Sequence, residues 1–91
     1  MRIHIRRTGG FAGIARQAEI DTADGALGAE ATDWHALADR AMAAAHAAPP
    51  SGVPDGFRYT LTVDGRTAYC ADPDLTDDQR ELITRVLKEG A

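Results

Sequence analysis

The side chains in this sequence best suited to covalent or metal chemistry are three histidines, one cysteine and a run of carboxylates, and their spacing gives them little to do together. His35 and His46 lie eleven positions apart on one helical stretch, and His4 falls on the outward face of an alternating segment, so no short-spaced ligand pair results. They read as surface or partly packed side chains. Cys70 falls on the apolar side of an alternating segment opposite Tyr59. A small hydrophobe belongs there, whereas a catalytic thiolate needs exposure and a basic neighbour. As the only cysteine it also excludes an intrachain disulfide and a multi-cysteine zinc site. Asp72, Asp74, Asp77 and Asp78 are close enough to suggest a calcium loop, but Pro73 interrupts them and no glycine lies among them. Acids gathered at a helix start explain them better. Thr8-Gly9-Gly10-Phe11-Ala12-Gly13 lacks the lysine and the following helix of a phosphate-binding loop. No catalytic residue, metal ligand or cofactor site is expected, and the chain reads as a non-enzyme.

What remains is contact chemistry. The stretch from Thr8 to Gly13 sets one large aromatic, Phe11, among three glycines. Either the ring packs on the chain's own core, or it projects as an apolar anchor for a pocket on a partner. In the second case glycine permits close backbone approach, and Arg6, Arg7 and Arg16 steer the encounter. Leu27, alone in a small-residue loop between Asp24 and Glu30, poses the same choice between a second anchor and a plug over a helix start. The candidate partner-binding set is therefore Arg7, Thr8, Gly9, Gly10, Phe11, Ala12, Gly13 and Leu27.

The elements that must position these residues are legible from hydrophobic periodicity. Met1, Ile3 and Ile5 alternate with Arg2, His4 and Arg6, a strand with one buried face. After the glycine-rich connection, Ile14, Ala18 and Ile20 continue on one side of a second strand that ends at Asp21, and the two form a hairpin whose register the sequence leaves open. Residues 22 to 32 are a connector. Asp33 is then a candidate N-cap for a helix with an apolar stripe of Trp34, Leu37, Ala38, Ala41, Met42 and Ala45. Alanines carry that helix through Ala48, until Pro49-Pro50 stops it. Phe57, Tyr59, Leu61 and Val63 mark a third strand, and Asp64-Gly65 signals a type I′ turn into the fourth. That turn pairs Val63 with Arg66, Leu61 with Ala68 and Tyr59 with Cys70. Thr76-Asp77-Asp78-Gln79 is a capping box opening a helix with Leu82, Ile83, Val86 and Leu87 buried and Gly90 at its end. The order ββαββα predicts an α+β fold, a four-stranded, mainly antiparallel sheet with two helices on one face.

Size and charge narrow the function classes. At 91 residues the chain has length for one domain, read as 1–91, and only five aromatic side chains to fill its core. It has no apolar run of spanning length and opens directly on a charged, alternating segment, so neither a membrane span nor a secretory signal is expected, and a reduced, cytoplasmic monomer is the simplest reading. Four arginines and no acid fall in residues 1–18, a local +4 that leaves −8 on the rest of a chain whose net charge is −4. This asymmetry is either a basic surface on an acidic domain or a solvated strand face. Nucleic-acid binding by the first hairpin is disfavoured by the overall charge and by the lack of clustered aromatics there. An interaction or dimerisation module built on a sheet edge is the main alternative to a one-to-one binder.

Arg6-Arg7-Thr8-Gly9-Gly10-Phe11-Ala12-Gly13-Ile14 after an opening strand, the loop with Pro49-Pro50 and Pro54-Asp55, the strand Phe57-Arg58-Tyr59 to Val63-Asp64-Gly65-Arg66, and a final acid-capped helix together resemble emfourin. The resemblance covers nearly the whole chain, and its most specific part is Thr8 to Gly13. Emfourins are small bacterial inhibitors of thermolysin-like metallopeptidases such as protealysin. The resemblance thus implies a peptidase partner and a role in blocking its cleft. Such enzymes accept large apolar side chains beside the scissile bond, which suits Phe11 and Leu27 as the obstructing groups.

Overall fold

Ile3 and Ile5 are fully buried while Arg2 and Arg6 face solvent, so the alternation at the N-terminus does become a one-sided strand. In the computed structural model, which describes residues 1–9, 15–22, 31–48, 56–71 and 74–90, six elements follow in order. They are β1 (Arg2–Gly9), β2 (Arg16–Asp21), α1 (Ala31–Ala43), β3 (Phe57–Val63), β4 (Arg66–Ala71) and α2 (Asp77–Glu89). The sheet order is β2-β1-β3-β4 with every neighbouring pair antiparallel. β2 and β3 both run opposite to β1 and hence parallel to each other, and α1 carries the chain between them. The expected α+β architecture, ββαββα, is the one observed.

Register follows from the apolar faces. β1 sets Ile3 between Ile20 and Val63, and Ile5 between Ala18 and Leu61. On the other side β3 meets β4 through Val63 and Arg66, Leu61 and Ala68, and Tyr59 and Cys70, the three pairs that the Asp64-Gly65 turn predicts. Both turn residues have positive φ, 51° and 82°, as a type I′ turn requires. Asp64 also ties the turn to β1, since its Oδ1 accepts from the Arg2 amide at 2.8 Å and its own amide donates to the Arg2 carbonyl at 3.0 Å.

The helices cover one face of this sheet. Trp34, Leu37, Ala38 and Ala41 from α1 and Leu82, Ile83, Val86 and Leu87 from α2 join Ile3, Ile5, Leu61 and Cys70 in one core. Each large apolar side chain removed from water there contributes about 1.5–3 kcal/mol. Cys70, 2% exposed, takes the place of a small hydrophobe as its spacing suggested. The opposite face, with Arg6 and Arg58 exposed and His4, Thr60, Thr62 and Tyr69 half-buried, is the polar side of the sheet. No helix among the described residues is long and apolar enough to cross a membrane.

At the start of α2 the Thr76 hydroxyl accepts from the Gln79 amide at 3.1 Å, and Gln79 Oε1 accepts from the Thr76 amide at 3.0 Å, the reciprocal box read from the sequence. Gln79 is only 1% exposed because it has a further partner: its Nε2 donates to the Ala41 carbonyl at 3.2 Å, joining the two helices. An exposed Arg40–Asp78 ion pair at 3.2 Å lies beside it and adds under about 1 kcal/mol.

Two expectations are corrected. Asp33 is not an N-cap: α1 begins at Ala31, and Asp33 sits in the first turn, where a carboxylate still suits the helix dipole. Nor does α1 run through Ala48. It ends at Ala43, and His46 instead forms a β-bridge with Tyr69, donating to the Tyr69 carbonyl at 2.7 Å and accepting from its amide at 2.8 Å. Satisfying the open edge of β4 outweighs the small helix propensity of a few alanines. Gly90 does end α2 as expected, in an extended conformation with φ −78°, and its glycine is needed for clearance: a Cβ would stand 2.6 Å from the Val86 carbonyl oxygen and 2.9 Å from that of Glu19.

Candidate functional site

One end of the sheet collects the C-termini of β1 and β4 and the N-termini of β2 and β3. Segment 10–14, with Phe11, leaves from Gly9 at this end and returns to β2 beside it. β1 outruns its pairing with β2, whose last pair is Arg7 with Arg16, and continues alongside β3 as Thr8 pairs with Arg58 and Gly9 with Phe57. Thr8 and Gly9, expected in the loop, are therefore strand residues. The cause is a pairing between segments some fifty positions apart in sequence, roughly the separation of Gly9 and Phe57, which local patterning cannot show.

This extension fixes the base of the loop. Gly9 has φ +85°, and a Cβ built on it would stand 2.8 Å from the Gly56 carbonyl oxygen, so only glycine lets the two backbones meet. Arg7 shares the core face with Ile3 and Ile5, and its guanidinium carbon lies 4.4 Å from the centre of the Phe57 ring. Such a cation–π contact contributes about 0.5–1 kcal/mol. Phe57 in turn packs tilted against Tyr59, with ring centres 6.4 Å apart. Arg7 Nε is buried with no hydrogen-bond acceptor among the described residues.

Replacing Gly9 with alanine is expected to cost about 2–4 kcal/mol, the left-handed strain plus the displacement of the Gly56 backbone. Gly65, with φ +82° and nothing within 4 Å of its Cβ position, is the control. Its alanine variant should lose only the conformational part, about 1–2 kcal/mol. Equal losses for the two variants in urea unfolding would show that the Gly9–Gly56 approach is slack.

The other arginines separate. Arg16 Nη2 donates to the Leu87 carbonyl at 2.8 Å, bracing the end of α2. Arg6 is exposed on the polar face, away from Arg7. Of the candidate contact residues, Arg7, Thr8 and Gly9 are thus brought together, while Gly10, Phe11, Ala12, Gly13 and Leu27 lie outside the described residues. Segment 23–30, which contains Leu27, starts from Thr22, and Thr22 is fastened to Met1 and His35: its amide donates to the Met1 carbonyl at 2.8 Å and its hydroxyl lies 2.7 Å from His35 Nε2. Those anchors belong to the opposite end of β1, roughly 25 Å from Gly9 at the usual rise of a strand. The base of one loop is therefore not beside the base of the other. Phe57 and Gly56 enter the site only through the β1–β3 register, and the one sequence signal for them was the strong strand that Phe57 opens.

The histidines occupy three different settings. His4 Nε2 lies 3.2 Å from Gln17 Oε1 on the polar face, His35 meets Thr22, and His46 bridges β4 through its backbone. Among the described residues no group of three or more histidine, cysteine, aspartate or glutamate side chains is placed to hold a metal ion.

No curated protein and no solved structure matches the chain. A family model described as Emfourin matches residues 5–87, from the middle of β1 almost to the end of α2, and so takes in the whole Gly9 end of the sheet together with its helical backing. On that match the chain belongs to the emfourin family, a family of metallopeptidase inhibitors.

Proposed function

We propose that residues 1–91 act as one inhibitory domain that blocks the active-site cleft of a thermolysin-like zinc metallopeptidase with the Gly9 end of its sheet. Phe11 is the apolar anchor, the neighbouring Gly10, Ala12 and Gly13 allow close backbone approach, and Arg7, Thr8 and Gly9 form the fixed base. The observation that carries the mode of action is the pinned Gly9–Gly56 contact beside the Arg7–Phe57 stack, two residues before Phe11. A loop held stiffly at its root loses less conformational entropy on binding, and this preorganisation favours tight association. Leu27 enters as a second contact on a partner surface wide enough to span the length of β1.

The test is titration of the purified protein into a thermolysin-like peptidase held at a concentration well above the inhibition constant. Activity should fall linearly to an endpoint near one inhibitor per enzyme. Full activity in the presence of excess protein would sink the proposal for that enzyme class.

A further inference from the structure

The Gly9 end has a second feature, on the helix side of the sheet. A cleft of about 490 Å³ opens between the sheet and α2, within the usual range for binding pockets. Arg7, Arg16 and Lys88 line it and, among the described residues, no acidic residue does, in a chain whose net charge is −4. Its walls include Tyr59, Ile83 and Leu87. Arg16 and Lys88 sit at the end of α2, where cations suit the helix dipole, and Arg16 uses one donor on the Leu87 carbonyl. The dipole does not explain Arg7, which comes from the centre of the sheet. Among the described residues Arg7 Nε has no acceptor, and no carboxylate pairs with Arg7 or Lys88.

We propose that this cleft receives an aspartate or glutamate side chain of the bound peptidase, an inference that rests on the inhibitory reading above. A carboxylate matches the site on three counts. Its charge offsets three converging cations, its two oxygens accept from the planar guanidinium of Arg7, and its short methylene stem lies against Tyr59, Ile83 and Leu87. Arg6, on the opposite face of the sheet, has no part in it. The inhibitor thus holds its partner at two points, an apolar one supplied by the loop that leaves from Gly9 and an ionic one at Arg7 and Lys88.

The test compares inhibition constants of the wild type, R7K, R7Q and K88E against a thermolysin-like peptidase at low and high salt, with thermal melts of each variant. R7Q and K88E should each weaken inhibition about tenfold at low salt and flatten its salt dependence, while R7K, which keeps the charge but loses the paired donors, should recover the salt dependence and only part of the affinity. Because Lys88 is exposed, K88E reports on the ionic contact even if R7Q unfolds through loss of the Phe57 stack. A folded K88E that inhibits as well as the wild type, with the same salt slope, overturns the ionic contact alone. Wild-type protein that does not inhibit brings down the inhibitory reading and the ionic contact with it.

Discussion

Truncating Phe11 to alanine is expected to weaken inhibition by about 2 kcal/mol or more, roughly thirtyfold in the inhibition constant, while leaving the melting transition nearly unchanged. The two readouts separate the two roles open to this ring. An anchor that fills a pocket on the partner costs affinity when removed and leaves the isolated fold intact. A ring packed on its own core would instead cost stability, about 3–5 kcal/mol if fully buried, and would affect inhibition only through unfolding. Full potency with an unchanged melt would remove Phe11 from the mechanism. The size of the effect depends on Gly9, because an anchor on a loose stem loses more entropy when it docks.

The largest effect on stability should come from Trp34. Its side chain is fully buried at the centre of the core, and the Arg85 guanidinium carbon lies 4.3 Å from the ring centre, covering it from the α2 side. Trp34→Ala is expected to cost about 3–5 kcal/mol, since it removes the largest buried side chain and leaves a void that α1 and α2 cannot fully close. For a domain with an ordinary stability of about 5–15 kcal/mol this is a large share. Chemical denaturation should show a much lower midpoint with little change in slope. A loss below about 1 kcal/mol would mean that α1 is not seated on the sheet as described. Trp34 Nε1 has no hydrogen-bond partner among the described residues, so Trp34→Phe breaks none of the described bonds and should cost much less than the alanine variant.

These expectations draw on parts of the molecule that were unequally legible in the sequence. The β3–β4 hairpin could be read to the residue, because Asp64-Gly65 admits one turn geometry and strict alternation leaves no second register. The capping box of α2 was equally plain, since its partners are three positions apart. Its link to α1 through Gln79 and Ala41 was not, because nothing local marks a contact across 38 positions. The end of α1 was misplaced because alanine-rich sequence favours helix wherever tertiary structure is silent, and here the open edge of β4 is not silent. The site divides along the same line. The glycines and arginines around Phe11 were visible as a composition, but their separation was not. Arg6 and Arg7 are neighbours in sequence and lie on opposite faces, one exposed and one stacked on Phe57. Gly9 owes its identity to Gly56, and Lys88 joins Arg7 only through the packing of α2 on the sheet.

Competition at the peptidase's active site is the measurement that bears most directly on the proposed mechanism. Titrating the inhibitor in the presence of increasing amounts of a small reversible ligand of the peptidase cleft should raise the observed inhibition constant in inverse proportion to the fraction of clefts left empty, because the two share one space. An inhibition constant that stays the same as the cleft fills would mean that the protein acts elsewhere on the enzyme, and the Gly9 end of the sheet would lose its assigned role.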